Sequence, residues 1–282
     1  MASYLRPTSL DEALADLGEA MVPPPVVLAG GTDFYPARVG RALDDNILDI
    51  TAIPDLRGIS ETTTGWRIGA TTTWSGVIAA DLPPLFDALK QAAREIGGRQ
   101  IQNAGTVAGN LCNASPAADS VPPLLAMNAE VEIRGRNGRR MLPVSDFITG
   151  NRRTALQPGE LVTAVIVPKP ARPAHSVFLK LGAREYLVIS IAMVAVVLET
   201  DGGVVSSARI AVGACSEVAQ RLPELEAELV GCPVDALAGR AERRHLQVLS
   251  PITDIRADAS YRREAALTLI RRALAGLAEQ RA

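Results

Sequence analysis

Across residues 99–123 the chain loses its hydrophobic rhythm. The stretch is rich in Gly, Asn, Ala, Ser and Pro, and its few apolar residues follow neither a helical nor a strand period. It is too long for a turn, and regular patterns bracket it on both sides. Long ordered segments of this kind are usually functional. The rest of the fold must therefore build walls around it, and the flanking patterns say which elements supply them.

Upstream, Ser9-Leu-Asp-Glu12 is a capping-box pattern, with Leu10, Ala13, Leu14 and Leu17 at helical spacing. Pro23-Pro24-Pro25 then leads into the short apolar run Val26-Val27-Leu28-Ala29, a buried-strand signal followed directly by Gly30-Gly31-Thr32-Asp33. Residues 46–50 and 66–70 read as further strands. Residues 84–96 place Leu85, Leu89, Ala92, Ala93 and Ile96 on one helical face and stop at Gly97-Gly98. Downstream, residues 129–134 alternate strictly and close on a turn at 135–138, and residues 161–167 form another strand ended by Pro168. A Pro-rich linker at 168–173 opens a second region. There, 177–181, 189–198 and 204–212 read as successive strands, the last two joined by Asp201-Gly202-Gly203 as an antiparallel hairpin. Residues 217–249 look helical with interruptions, and 260–278 form a long amphipathic helix bearing Leu267, Ile270, Leu274 and Leu277. The pattern is α+β in two parts.

Composition excludes several functions. Lys and Arg total 29 against 31 Asp and Glu, a net charge of −2, so there is no basic excess for nucleic-acid phosphates. The longest apolar run, residues 186–198, includes Ser190 and is too short to span a bilayer. The N-terminal Met1-Ala-Ser-Tyr-Leu-Arg-Pro lacks a signal-peptide layout, and the expected location is cytoplasmic. Three cysteines (Cys112, Cys215, Cys232), no CxxC pair and only two histidines (His175, His245) leave no HExxH site and no iron–sulfur cluster held by this chain alone. No metal site and no catalytic side chain is expected. Any redox chemistry needs a bound organic cofactor.

Two glycine-rich segments carry that expectation. In Ala29-Gly30-Gly31-Thr32-Asp33, glycines after a strand let backbone N–H groups approach a diphosphate, although a tight turn explains the same residues. Neither GxGxxG nor GxxxxGK[ST] occurs. The segment 103–119 holds Asn103, Asn110, Asn113, Thr106, Ser115 and Asp119 among apolar neighbours. These polar groups need partners, either a large ligand or their own backbone.

Taken together, Ala29-Gly-Gly-Thr-Asp33, Ile68-Gly-Ala-Thr-Thr-Thr73, Thr106-Val-Ala-Gly-Asn110 with Ser115-Pro116 and Asp119, Pro158-Gly-Glu-Leu161 and Lys180 resemble the FAD-binding medium subunit of molybdenum hydroxylases. This is the flavoprotein family of xanthine dehydrogenase and carbon monoxide dehydrogenase. The resemblance spans nearly the whole chain. Ala108 departs from it, because the family usually has a second glycine there.

The resemblance implies a two-lobed FAD-binding fold of the vanillyl-alcohol-oxidase (PCMH) type over residues 1–170, with subdomains of about 1–55 and 56–170. A C-terminal flavoprotein domain of the carbon monoxide dehydrogenase type would follow over 175–282. It implies that Val27, Leu28, Ala29, Gly30, Gly31, Thr32, Asp33 and Phe34 wrap the FAD diphosphate. Thr106, Val107, Ala108, Gly109 and Asn110 would meet the diphosphate or flavin edge, Asp119 the cofactor's polar groups, and Ile96, Val162 and Lys180 the flavin site, with Lys180 as the cation near the flavin. Backbone amides around 29–33 and 106–110 would converge on one pyrophosphate. The FAD would be non-covalent. Molybdopterin and two 2Fe–2S clusters would sit on a large and a small partner subunit, typically in a dimer of heterotrimers. Two other readings stay open: a self-sufficient FAD-dependent reductase of the same superfamily, and a flavin-free assembly module. Simpler readings also stand for individual residues. Cys112 reads as a small buried thiol, Tyr35, Tyr186, Trp66 and Trp74 as packing residues, and the arginine pairs as solvated faces.

Overall fold

The computed structural model describes residues 2–18 and 23–279; Met1, at the head of the N-terminal stretch discussed above, lies outside them. Three sheets organise the chain. The first is a small parallel sheet of β1 (Tyr4–Leu5), β3 (Ile47–Asp49) and β2 (Val26–Leu28), in that order, beside helix α1 (Leu10–Gly18). The capping box forms as read: Glu12 N–H donates to Ser9 Oγ, and Ser9 N–H donates to a Glu12 carboxylate oxygen, both at 3.2 Å. The second sheet is antiparallel, ordered β4 (Ile59–Glu61), β5 (Gly65–Gly69), β10 (Glu160–Pro168), β6 (Glu130–Gly135) and β7 (Gly138–Pro143). A short helix α7 (Val144–Phe147) and the pair β8 (Ile148–Gly150) and β9 (Arg153–Thr154) follow β7.

The third sheet runs β11 (Ala174–Leu181), β12 (Ala192–Asp201), β13 (Val204–Gly213) and β14 (Gln220–Arg221). Gly202 and Gly203, both at positive φ, turn the β12–β13 hairpin. This sheet is apolar on both faces. On one face Phe178, Met193, Ala195, Val197 and Ala211 join the N-terminal core. On the other, Val177, Val194, Val196, Leu198, Ile210 and Val212 pack against α8 (Pro223–Leu229) and α9 (Ala259–Glu279). That explains why β12 is a continuous apolar run rather than an alternating one. Polar bonds reinforce the seam. Ser176 Oγ accepts from Ala88 N–H at 2.9 Å, and Arg209 Nε donates to Ala126 O at 2.7 Å.

Two expectations need correction. The stretch 99–123 is not irregular. It folds as α4 (Arg99–Ala104), α5 (Val107–Asn113) and α6 (Val121–Ala126), after α2 (Trp74–Ala79) and α3 (Asp87–Glu95). These helices are too short to show a period, and α6 is buried on all sides. Residues 217–249 contain only one α-helix, α8, followed by short 3-10 turns. Tyr35 and Tyr186 are exposed rather than packed, while Trp66 and Trp74 are core residues as read.

Candidate cofactor cleft

The two glycine segments meet. Gly30 lies against the end of α4 so closely that a Cβ would fall 1.9 Å from Ala104 O and 2.5 Å from its carbonyl carbon. Only a residue without a side chain permits that approach. Gly31 adopts φ +68°, and a Cβ there would also strike the Tyr35 ring. Between the segments lies a cleft of about 590 Å³.

All the site residues named from the sequence line this cleft except three. Val27, Leu28, Ala29, Gly30, Gly31, Thr32, Asp33 and Phe34 form one side; Thr106, Ala108, Gly109 and Asn110 form another; Ile96 and Val162 complete it. Val107, Asp119 and Lys180 do not line it. Val107 points into the core. Lys180 Nζ instead pairs with Asp119 Oδ2 at 2.7 Å, and Ser190 Oγ donates to Asp119 Oδ1 at 2.5 Å. Both charged side chains are over nine-tenths buried. Burial pushes the Asp119 carboxyl up, against the opposing pull of Lys180 and Ser190. Lys180 is thus bound to a carboxylate outside the cleft walls, and its charge is balanced there.

The cation on the cleft wall is Arg38, which the sequence reading missed. Its guanidinium holds Asp45 through Nε at 2.6 Å and Nη2 at 3.1 Å, and donates to Phe34 O at 3.1 Å. It also stacks over the Phe34 ring, 3.7 Å from the centroid. The Phe34-to-Arg38 spacing of four residues was its only local signal. Ile101, Gly105, Cys112, Asn113, Leu156 and Leu161 are further wall residues not named from sequence. Cys112 is exposed on that wall and not buried as read. The protein mass around it still pushes the thiol up to about 12, away from the reactive thiolate.

The two glycine segments differ in their backbone donors. Among the described residues, no protein group accepts from the N–H groups of Gly30, Gly31, Thr32, Asp33 or Phe34. In the second segment the amides are spent, that of Thr106 apart. Val107 N–H donates to Thr72 O at 3.0 Å, Ala108 to Ala70 O at 3.4 Å, Asn110 to Thr106 O at 3.1 Å, and Gly109 to Thr106 Oγ1 at 3.1 Å. Trp74 N–H donates back to Gly105 O at 3.1 Å. The run Ala70-Thr-Thr-Thr73 is therefore the seat on which 105–108 rests. Convergence of both sets of amides on one anion, expected from the sequence, meets a second segment whose amides at Val107 to Asn110 are already bonded within the protein. The second offers side chains: the Thr106 hydroxyl proton, left over once Oγ1 accepts from Gly109, and the Asn110 carboxamide. Ala108 is buried in the core cluster as well as lining the cleft.

A run of unpaired N–H groups, a cradle that a Cβ would fill, one rim cation and apolar walls at Ile96, Leu161 and Val162 suit an elongated ligand that carries anionic oxygens at one end and a flat apolar ring at the other. FAD has that form, and the residues present fit it.

The comparisons agree. A family described as the FAD binding domain in molybdopterin dehydrogenase matches residues 1–170, and the CO dehydrogenase flavoprotein C-terminal domain matches residues 178–277. The carbon monoxide dehydrogenase medium chain of Afipia carboxidovorans is 32% identical over 277 residues, covering 96% of this chain and 94% of that one. The putative xanthine dehydrogenase FAD-binding subunit of Escherichia coli K12 is 32% identical over 93% of this chain and 90% of its own length. Among solved structures, a chain of the carbon monoxide dehydrogenase of Hydrogenophaga pseudoflava superposes with a TM-score of 0.84 at 32% identity, covering 97% and 96% of the two chains. A chain of quinoline 2-oxidoreductase from Pseudomonas putida 86 gives 0.88 at 26% identity, covering 99% and 98%. The α+β fold expected from the sequence is the one these structures share. The chain therefore belongs to the FAD-binding medium subunits of the molybdenum hydroxylases, the flavoprotein family of carbon monoxide and xanthine dehydrogenases.

Proposed function

We propose that this chain holds non-covalent FAD between its two glycine segments and serves as the electron-transfer subunit of a molybdenum-dependent dehydrogenase. A small partner subunit with 2Fe–2S clusters supplies the electrons, and a large subunit carries the molybdenum cofactor and the substrate. The observation that carries this reading is the row of unpaired amides from Gly30 to Phe34 in a segment that lines the cleft. Bound FAD supplies a redox centre able to take electrons singly and release them in pairs. The protein's residues do the rest. The first segment's N–H groups hold the diphosphate, and Arg38, already paired with Asp45, offers its remaining guanidinium N–H groups at the rim. Thr106 and Asn110 donate from the opposite wall. Ile96, Leu161 and Val162 exclude water from the apolar ring.

This assignment gives the chain no substrate-oxidising residue of its own. Titration with FAD, followed by quenching of flavin fluorescence, is expected to saturate at one equivalent. Acid precipitation should leave the yellow colour in the supernatant, as non-covalent binding requires. The FAD-loaded chain alone should oxidise no organic substrate and should not consume NADPH; steady NADPH turnover would favour the self-sufficient reductase instead. Failure to bind FAD at all would leave the flavin-free assembly module. Co-purification with a molybdopterin-binding chain and a chain with cluster cysteines tests the partners.

A further inference from the structure

Ser120 is fully buried and stands at the N-cap of α6. A serine there ordinarily accepts a hydrogen bond from the second or third helical N–H. In α6 those positions are Pro122 and Pro123, which have no N–H. The hydroxyl has nothing to cap and makes no cap bond. Its Oγ lies instead 2.6 Å from Oδ1 of Asn110, on α5.

A buried hydroxyl needs an acceptor for its proton. Among the described residues, Asn110 Oδ1 is the one that Ser120 Oγ reaches. That contact decides which way the carboxamide turns: the oxygen faces inward and the amino group faces the cleft that Asn110 lines. No group among the described residues accepts from Asn110 Nδ2. The preceding residue, Asp119, is pinned by Lys180 and Ser190, so the C-terminal lobe holds Ser120 in place.

We infer that Ser120 is a positioning residue that turns Asn110 so that this wall presents an N–H donor and selects acceptor atoms of the cofactor, either phosphate or flavin carbonyl oxygens. The inference rests on the cleft being the FAD site. It also explains why a serine stands before two prolines that it cannot cap, and it gives the Asp119–Lys180 pair a part in placing Asn110.

A double-mutant cycle read by FAD titration tests it. Ser120→Ala is expected to weaken FAD binding about tenfold in the native background, and not to weaken it further in an Asn110→Ala background. Equal weakening in both backgrounds, or none in either, overturns the inference. Asn110→Asp keeps the acceptor for Ser120 and removes the donor. It should keep the thermal midpoint of the FAD-free protein and lose more than about tenfold in FAD affinity; unchanged affinity overturns the inference. If the native chain does not bind FAD, the functional reading fails instead. The orientation is then decided without FAD, by proton exchange of the Asn110 side-chain amide in ¹⁵N spectra. Both protons should exchange rapidly with water, and protection of one of them would refute the assigned orientation.

Discussion

The two glycine-rich segments share a composition and do opposite work. Segment 29–34 leaves its amides from Gly30 to Phe34 open, because no group among the described residues accepts from them. Segment 105–110 closes its amides, that of Thr106 apart, on Ala70, Thr72, Ile101 and Thr106. One is a cradle and the other a beam. Glycine content alone separates neither role. What separates them is whether another stretch of chain pairs with the backbone.

Gly30→Ala should break the contrast most sharply. The new methyl collides with Ala104 O, so the cradle must lift away from α4. Overpacking of this kind costs about 1–3 kcal/mol, which predicts a loss in FAD affinity of about tenfold to a hundredfold in fluorescence titration. The beam, whose Thr106 and Asn110 side chains also face the cofactor, should respond in stability as well as in affinity. Thr106→Ala removes the α5 cap bond to Gly109 N–H and should cost about 1 kcal/mol of stability in denaturant unfolding of the FAD-free protein. If it lowers FAD affinity with no change in stability, the division of labour is wrong.

Acid sharpens the same division, because it strikes the sheet behind the beam. Burial pushes Glu132 up, but the Thr163 hydroxyl, Arg67 and Arg139 outweigh it and hold it below its ordinary 4.5. Arg140 holds Glu160, on β10, below the same value. Carboxylates lowered in the folded state stabilise it above the unfolded-state value, and that contribution fades as pH falls through the folded-state value. Stability measured by urea unfolding should therefore be flat above about pH 5 with respect to these groups and decline below about pH 4.5. Glu160→Gln should flatten the decline. The smallest effect is expected for Ala108→Gly, which restores the usual family residue. It should cost about 0.5–1 kcal/mol as a helix glycine and leave FAD affinity unchanged, since Ala108 is buried in the core cluster.

Much of this was legible because it is local. The capping box at Ser9 and Glu12, the alternation of 129–134 and the hairpin glycines at 202–203 each encode their structure within a few residues. Ala29 to Asp33 was legible locally only as glycines after a strand, which a tight turn explains as well; the wider lining from Val27 to Phe34 came from the family resemblance. The misses are non-local. Nothing near Val107 says that its N–H will find Thr72, and nothing near Lys180 says that it will find Asp119, 61 positions away. Arg38 was missed because a single arginine four residues past a phenylalanine is a weak signal until the turn at 36–38 brings the two together. Helices α4 to α6 were missed because six or seven residues are too few to show a period, and in α6 burial on all sides erases what contrast is left.

Strand β12 has a consequence for how such a chain can be taken apart. Its valines serve two cores at once, so a cut in the 168–173 linker would strip one wall from each product. Separately expressed pieces should recombine or precipitate rather than persist as independent modules. For the same reason, a hinge that swings the lobes apart would have to tear this packed seam.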